Sequence, residues 1–148
     1  MFCNINVILF FYFPYNTFIL MGYSANSMFV VQNGIAGKEK ELQVVDTQKH
    51  TFVLDTVSNI GRVDQTSQVL DTSGIKEVEY NFVLFAQNSH GVVKNNASFR
   101  MNYCKITEND SLILNLIPYI DDEGIPCMYD SISKRFFYNN GTGTFNYE

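Results

Sequence analysis

Glu77 and Glu79 in K-E-V-E-Y-N are the two side chains whose type and spacing come nearest to a catalytic pair. In a strand, positions i and i+2 project to one face roughly 6–7 Å apart, a separation at which two carboxylates could flank a glycosidic bond. A third carboxylate to orient them is missing, because the same face continues with Asn81 and Val83. The pair therefore reads as a solvated strand start, and no catalytic residue is assigned. Asp121, Asp122 and Glu123 could seed a site for a hard cation. Consecutive acids in a strand-like turn diverge, however, so a solvated turn is the simpler reading and no metal is expected. His50 and His90 have no accompanying nucleophile motif such as G-x-S-x-G; one reads as a half-buried strand residue and the other as a loop residue. The run Asn139 to Thr144 lacks the helix start and Lys of a phosphate loop, and reads as a turn that delivers Phe145 to the core. No cofactor is implied. Of the three cysteines, Cys3, Cys104 and Cys127, none forms a C-x2-C pair, so buried strand thiols are expected, with a Cys104–Cys127 bridge as the alternative.

The elements that would position these residues are strands. The chain has 148 residues, one domain's worth, and 46% of them are hydrophobic, which is too apolar for disorder. Thirteen Phe and nine Tyr favour pleated surfaces. A net charge of −5 repels phosphate backbones, so no nucleic-acid partner is expected. Two apolar runs, Val7 to Phe13 and Phe18 to Met21, are interrupted by Pro14, Tyr15, Asn16 and Thr17, too short a spacing for a membrane span. No Lys or Arg precedes Lys38, as a secretory signal would require, although that alternative stays open. Strands are predicted at Ile5 to Phe13 and Phe18 to Tyr23, with a turn at Pro14 to Thr17.

Further along, Met28 to Gln32 leads into Asn33-Gly34, the dipeptide a tight type I′ hairpin requires. His50 to Asp55 alternates, with His50, Phe52 and Leu54 on one face and Thr51, Val53 and Asp55 on the other. Thr56 to Gly74 is polar and predicts one or two short strands. Val78 to Gln87, nearly continuous in apolar residues, predicts a central strand covered on both faces, followed by a loop over Asn88 to Ala97. Phe85, Tyr129 and Phe137 are expected in the core. Short apolar runs between Asn, Gly, Ser and Asp punctuation give the rhythm of an antiparallel sandwich or barrel.

The last third carries a resemblance. R-M-N-Y-C-K-I-T (Arg100 to Thr107), S-L-I-L-N-L-I-P-Y-I (Ser111 to Ile120) and G-I-P-C-M-Y-D followed by F-F-Y-N-N-G-T-G-T-F are similar, in order, to the C-terminal signature of a lectin-like jelly-roll family found in tail and adsorption modules of bacteriophages and prophages. Weaker likenesses are F-V-L-F-A-Q-N-S-H-G, K-H-T-F-V-L-D and T-F-I-L-M-G-Y-S-A-N-S, which extend it from about Phe18 onward. The resemblance implies an all-β, two-sheet antiparallel jelly-roll sandwich of the concanavalin A-like kind over residues 1–148. Residues 1–17 would be an N-terminal strand and turn, with the family's first strand or two lacking. It implies a non-enzymatic binding or structural module of a phage or prophage tail, located in the virion tail or on the bacterial surface. Its partners would be a cell-surface glycan or other tail proteins, with homo-oligomers a further expectation. A degenerate concanavalin-like glycoside hydrolase and a secreted bacterial surface lectin stay open as alternatives. Two departures stand out: Asp121, Asp122 and Glu123 occupy a turn that is basic or small and polar in the family, and Ile113-Leu114 replaces its Val-Arg pair. A lectin site needs aromatic faces for sugar C–H groups and amides or guanidinium for hydroxyls. Tyr23, Asn26, Gln87, Arg100 and Asn102 are the residues expected to supply them.

Overall fold

The computed structural model describes the backbone of residues 4–11, 19–23, 29–33, 40–42, 48–55, 57–71, 83–85, 87–89, 92–94, 100–141 and 143–146. Side chains are described from residue 48 onward, apart from those of 87–89 and 94. No helix occurs among the described residues, and the chain is all-β. Its largest unit is an eight-stranded sheet. One side of that sheet is an antiparallel meander of β10 (Arg100–Glu108), β11 (Ser111–Ile120), β12 (Pro126–Asp130) and β13 (Arg135–Phe137). The other is a meander of β5 (Lys49–Asp55), β6 (Ile60–Val63) and β7 (Thr66–Val69). Between them lies β1 (Asn4–Phe11), parallel to both β5 and β10. A three-stranded antiparallel sheet holds β2 (Ile19–Tyr23), β3 (Phe29–Asn33) and β4 (Lys40–Leu42), and a two-stranded one holds β8 (Gln87–Ser89) and β9 (Val92–Lys94).

Turn chemistry explains the long meander. Asn109 and Asp110 have φ of 46° and 61° and close a two-residue loop between Glu108 and Ser111, the positive-φ pair a type I′ turn needs. Between β11 and β12, the Asp121 carbonyl accepts the Gly124 N–H at 3.0 Å, and Gly124 takes a φ of 81° that an L side chain would strain. Between β12 and β13, Lys134 adopts φ 60° and donates its N–H to the Asp130 carbonyl.

Strand alternation then sorts the side chains. Phe52 and Leu54 from β5, Val63 from β6, Met101, Cys104 and Ile106 from β10, Leu116 from β11 and Met128 from β12 form one buried cluster with Leu70. Leu84, Phe85, Leu114 and Phe145 pack against it, with the Phe85 and Phe145 rings 5.6 Å apart. The turn ending in Phe145 thus delivers that ring to the core, and the predicted split of β5 into a packed and a mixed face is observed.

Several expectations are corrected. Val83 to Phe85 lie outside any strand, and Phe85 has φ 63°, so the run read as a central strand leaves extended backbone there; residues 72–82 lie outside the described ones. The predicted loop after it contains the β8–β9 hairpin. Asn33 is inside β3 opposite Ile19, and Val31 faces Lys40, a register too wide for a two-residue hairpin at Asn33-Gly34. Phe137 is 41% exposed rather than buried, while Phe85 and Tyr129 are half-buried. Cys104 and Cys127 are both free. They sit on opposite faces two strands apart, roughly 10 Å, beyond the reach of a disulfide. Burial pushes the Cys104 thiol up to about 12, which makes it inert.

Candidate aromatic binding face

The face of β11–β13 opposite the core is built from rings. Ile117 on β11 faces Tyr129 on β12, which faces Phe136 on β13, and Tyr119 lies two residues beyond Ile117. Tyr138 follows Phe136 at the same two-residue interval just past the strand. The result is a connected aromatic surface: Tyr119 is 5.6 Å from both Tyr129 and Phe136, Tyr129 is 5.1 Å from Phe136, and Phe136 is 6.4 Å from Tyr138. All four contacts are tilted, and such cross-strand aromatic pairs stabilise a sheet modestly. Their exposure is the unusual feature. Tyr119 is 44%, Phe136 43% and Tyr138 49% exposed, on strands whose other face already supplies a core.

One end of this face is acidic. The Asp121 carboxylate accepts the backbone N–H groups of Glu123 and Ile125 at 3.0 and 2.8 Å, and the Tyr138 hydroxyl donates to it at 2.8 Å. The Ile125 amide, followed by the Tyr138 and Glu123 bonds, holds Asp121 below the usual carboxylate range despite partial desolvation. The same bond, with lesser contributions from desolvation and neighbouring charge, pushes the Tyr138 phenol up to about 12. Asp122 and Glu123 beside it are exposed. Two residues along β10 from Tyr103, the Lys105 ammonium rests 5.1 Å from the Tyr103 ring. The predicted solvated acidic turn is therefore also a clamp that fixes one ring of the face. Among the described residues no three His, Cys, Asp or Glu side chains gather to hold a metal.

Asp130 ends the M-Y-D motif, and it too has a depressed pKa, about 2. It is 1% exposed, and burial alone would raise its pKa. The hydroxyl and amide of Ser133 and the amides of Asn115 and Ile132, bonded at 2.6 to 3.1 Å, outweigh that. These bonds tie the β12–β13 turn to β11, and Asn115 adds a side-chain bond to Ser131 at 2.7 Å. A carboxylate so occupied is structural. His50 is placed as predicted, on β5, with its Nδ1 2.7 Å from the Asp64 carboxylate, which also accepts the Thr51 N–H.

The residues expected to bind a glycan fall on different elements. Tyr23 ends β2 in the three-stranded sheet, Gln87 begins β8 in the two-stranded sheet, and Arg100 and Asn102 lie on β10. Among the described ones, only Arg100 and Asn102 share an element, with Arg100 exposed and Asn102 half-buried. Asn26, like Glu77, Glu79 and His90, lies outside the described residues. Sequence reasoning missed the aromatic face because it placed Tyr129 in the core. The signal was available: Tyr119, Tyr129, Phe136 and Tyr138 fall on one face of three adjacent strands once the turns fix the register. Compared with known proteins, the chain matches no family model, no curated protein and no solved structure.

Proposed function

We propose that this chain is a non-enzymatic, glycan-binding and structural module of a bacteriophage or prophage tail, acting at the bacterial surface. The observation that carries this reading is the ladder of Tyr119, Tyr129, Phe136 and Tyr138, exposed at every ring but the half-buried Tyr129. Flat aromatic faces stack on the C–H faces of sugar rings, and tyrosine hydroxyls offer hydrogen bonds at their edges. The ladder also coincides with the segments that resemble the tail-module signature. In this reading the two antiparallel meanders belong to a jelly-roll sandwich, into which β1 is inserted in parallel. Arg100 and Asn102, with Tyr23, Asn26 and Gln87, are the proposed polar complement for sugar hydroxyls.

A glycan array and a bacterial cell-wall pull-down test this directly. Wild type should bind, and Phe136→Ala with Tyr119→Ala should remove binding while leaving the fold intact. Arg100→Ala and Tyr23→Ala test the polar complement separately. Retention by wild type and both aromatic variants alike would discard the aromatic face. No retention of wild type on any glycan or wall would leave a purely structural tail role.

A further inference from the structure

We infer that the aromatic face takes a sugar bearing a positive charge, an oligosaccharide of amino sugars with free ammonium groups, in preference to neutral or acidic glycans. This rests on the glycan-binding reading above and specifies its ligand. Two independent features meet at one end of the face. The first is the ring set itself: Tyr119, Phe136 and Tyr138 present exposed π-faces, whose negative quadrupoles attract a cation within about 6 Å. The second is charge: Asp121, Asp122 and Glu123 lie in the turn directly after β11, and the 2.8 Å Tyr138–Asp121 hydrogen bond joins them to the rings.

Of the basic groups of this meander, Arg100 begins β10 and the other three lie away from the acidic turn. Lys105 shares the ring-bearing side of the sheet but sits toward its opposite end, on β10 over the Tyr103 ring, and Lys134 and Arg135 are at the β12–β13 turn, with the Arg135 guanidinium 5.9 Å from Phe137 on the other face. The Asp121 carboxylate is committed to its turn and to Tyr138, so its charge acts at a distance, while exposed Asp122 and Glu123 can approach a ligand. A uronate or phosphate would meet like charge at the ring-lined end. An ammonium-bearing sugar could stack its C–H face on Phe136 and Tyr119 and direct its nitrogen toward the acidic turn.

The test measures binding of the full chain, near pH 5.5 and at low and high salt, to three immobilised probes: fully deacetylated glucosamine oligomer, its N-acetylated counterpart, and oligogalacturonate. The deacetylated probe should bind about tenfold more tightly than the acetylated one, the equivalent of a few surface-exposed charge contacts, and the margin should shrink with salt. Asp122→Asn and Glu123→Gln should each weaken the deacetylated probe about two- to fivefold and leave the acetylated probe unchanged. Both side chains are exposed, so folding is not at stake. Equal or tighter binding of the acetylated or galacturonate probe would overturn the cationic preference and leave the glycan reading standing. Loss of all probes, together with silence on the glycan array, would overturn both.

Discussion

The two faces of β11–β13 are made by the same strands and have different roles. One buries Asp130 and places Leu116 and Met128 in the hydrophobic cluster against which Leu84, Phe85 and Phe145 pack; the other leaves Tyr119, Phe136 and Tyr138 more than 40% exposed. The contrast teaches that the aromatic side is not required by the core, because the core is complete without it. Large apolar groups left in water at a concentrated patch point to a surface kept for contact.

The largest expected effects lie on the buried face. Leu116→Ala should lower unfolding free energy by about 3 kcal/mol, the usual result of deleting a packed leucine. A loss below about 1 kcal/mol in urea denaturation would break the distinction between the faces. Asp130→Asn should cost about 2–3 kcal/mol, because several amide and hydroxyl donors lose a charged acceptor. Asp130 also links stability to pH. Its folded pKa is depressed to about 2, so its contribution is fully present above the unfolded carboxylate value of about 4 and is lost as pH falls through about 2. Wild type should destabilise across that window, and Asp130→Asn should show a shallower acid limb.

Smaller effects are expected on the exposed face. Phe136→Ala and Tyr119→Ala should each cost no more than about 1.5 kcal/mol, since mainly ring–ring contacts are removed. If either matched Leu116→Ala, the face would be a second core rather than a binding surface. Tyr138 provides a spectroscopic check. Its phenol is held neutral up to about 12 by Asp121, so ultraviolet titration should show late ionisation of one of the nine tyrosines, abolished in Tyr138→Phe. Because the neutral phenol is the favoured form in the fold, that contribution persists below about 10 and fades as pH rises toward 12. The smallest effect belongs to Glu123→Gln, within about 0.5 kcal/mol of wild type.

How much of this was legible differs along the chain. Arg100 to Thr107 and Ser111 to Ile120, the runs that carry the resemblance, coincide with β10 and β11 nearly to the residue, divided by the positive-φ Asn109-Asp110 turn. Thr56 to Gly74, read as one or two short strands without firm boundaries, holds β6 and β7. Val83 to Phe85 misled, because an unbroken apolar run cannot distinguish a covered strand from a segment that bends across a core. The aromatic face was missed because alternation separates two faces without saying which one is covered. Tyr129 was assigned to the core by residue type, and type alone favours burial. The parallel partners of β1 left no trace in periodicity, since pairing across the chain is decided by tertiary fit.

That central position of β1 sets a timetable for folding. Asn4 lies opposite Arg100, so the strand that joins the two meanders finds one of its neighbours only after most of the chain has emerged from the ribosome. Closing a loop of that size costs about 2 kcal/mol more in chain entropy than closing one of ten residues. The β10–β13 meander, whose contacts are local, can assemble first and offer β10 as a template. Docking of β1 would then be the slow step, typical of non-local and parallel pairing. Until it docks, the β10 edge stays open to strands from other chains, and crowded expression or shortened amino-terminal segments should favour aggregation through that edge.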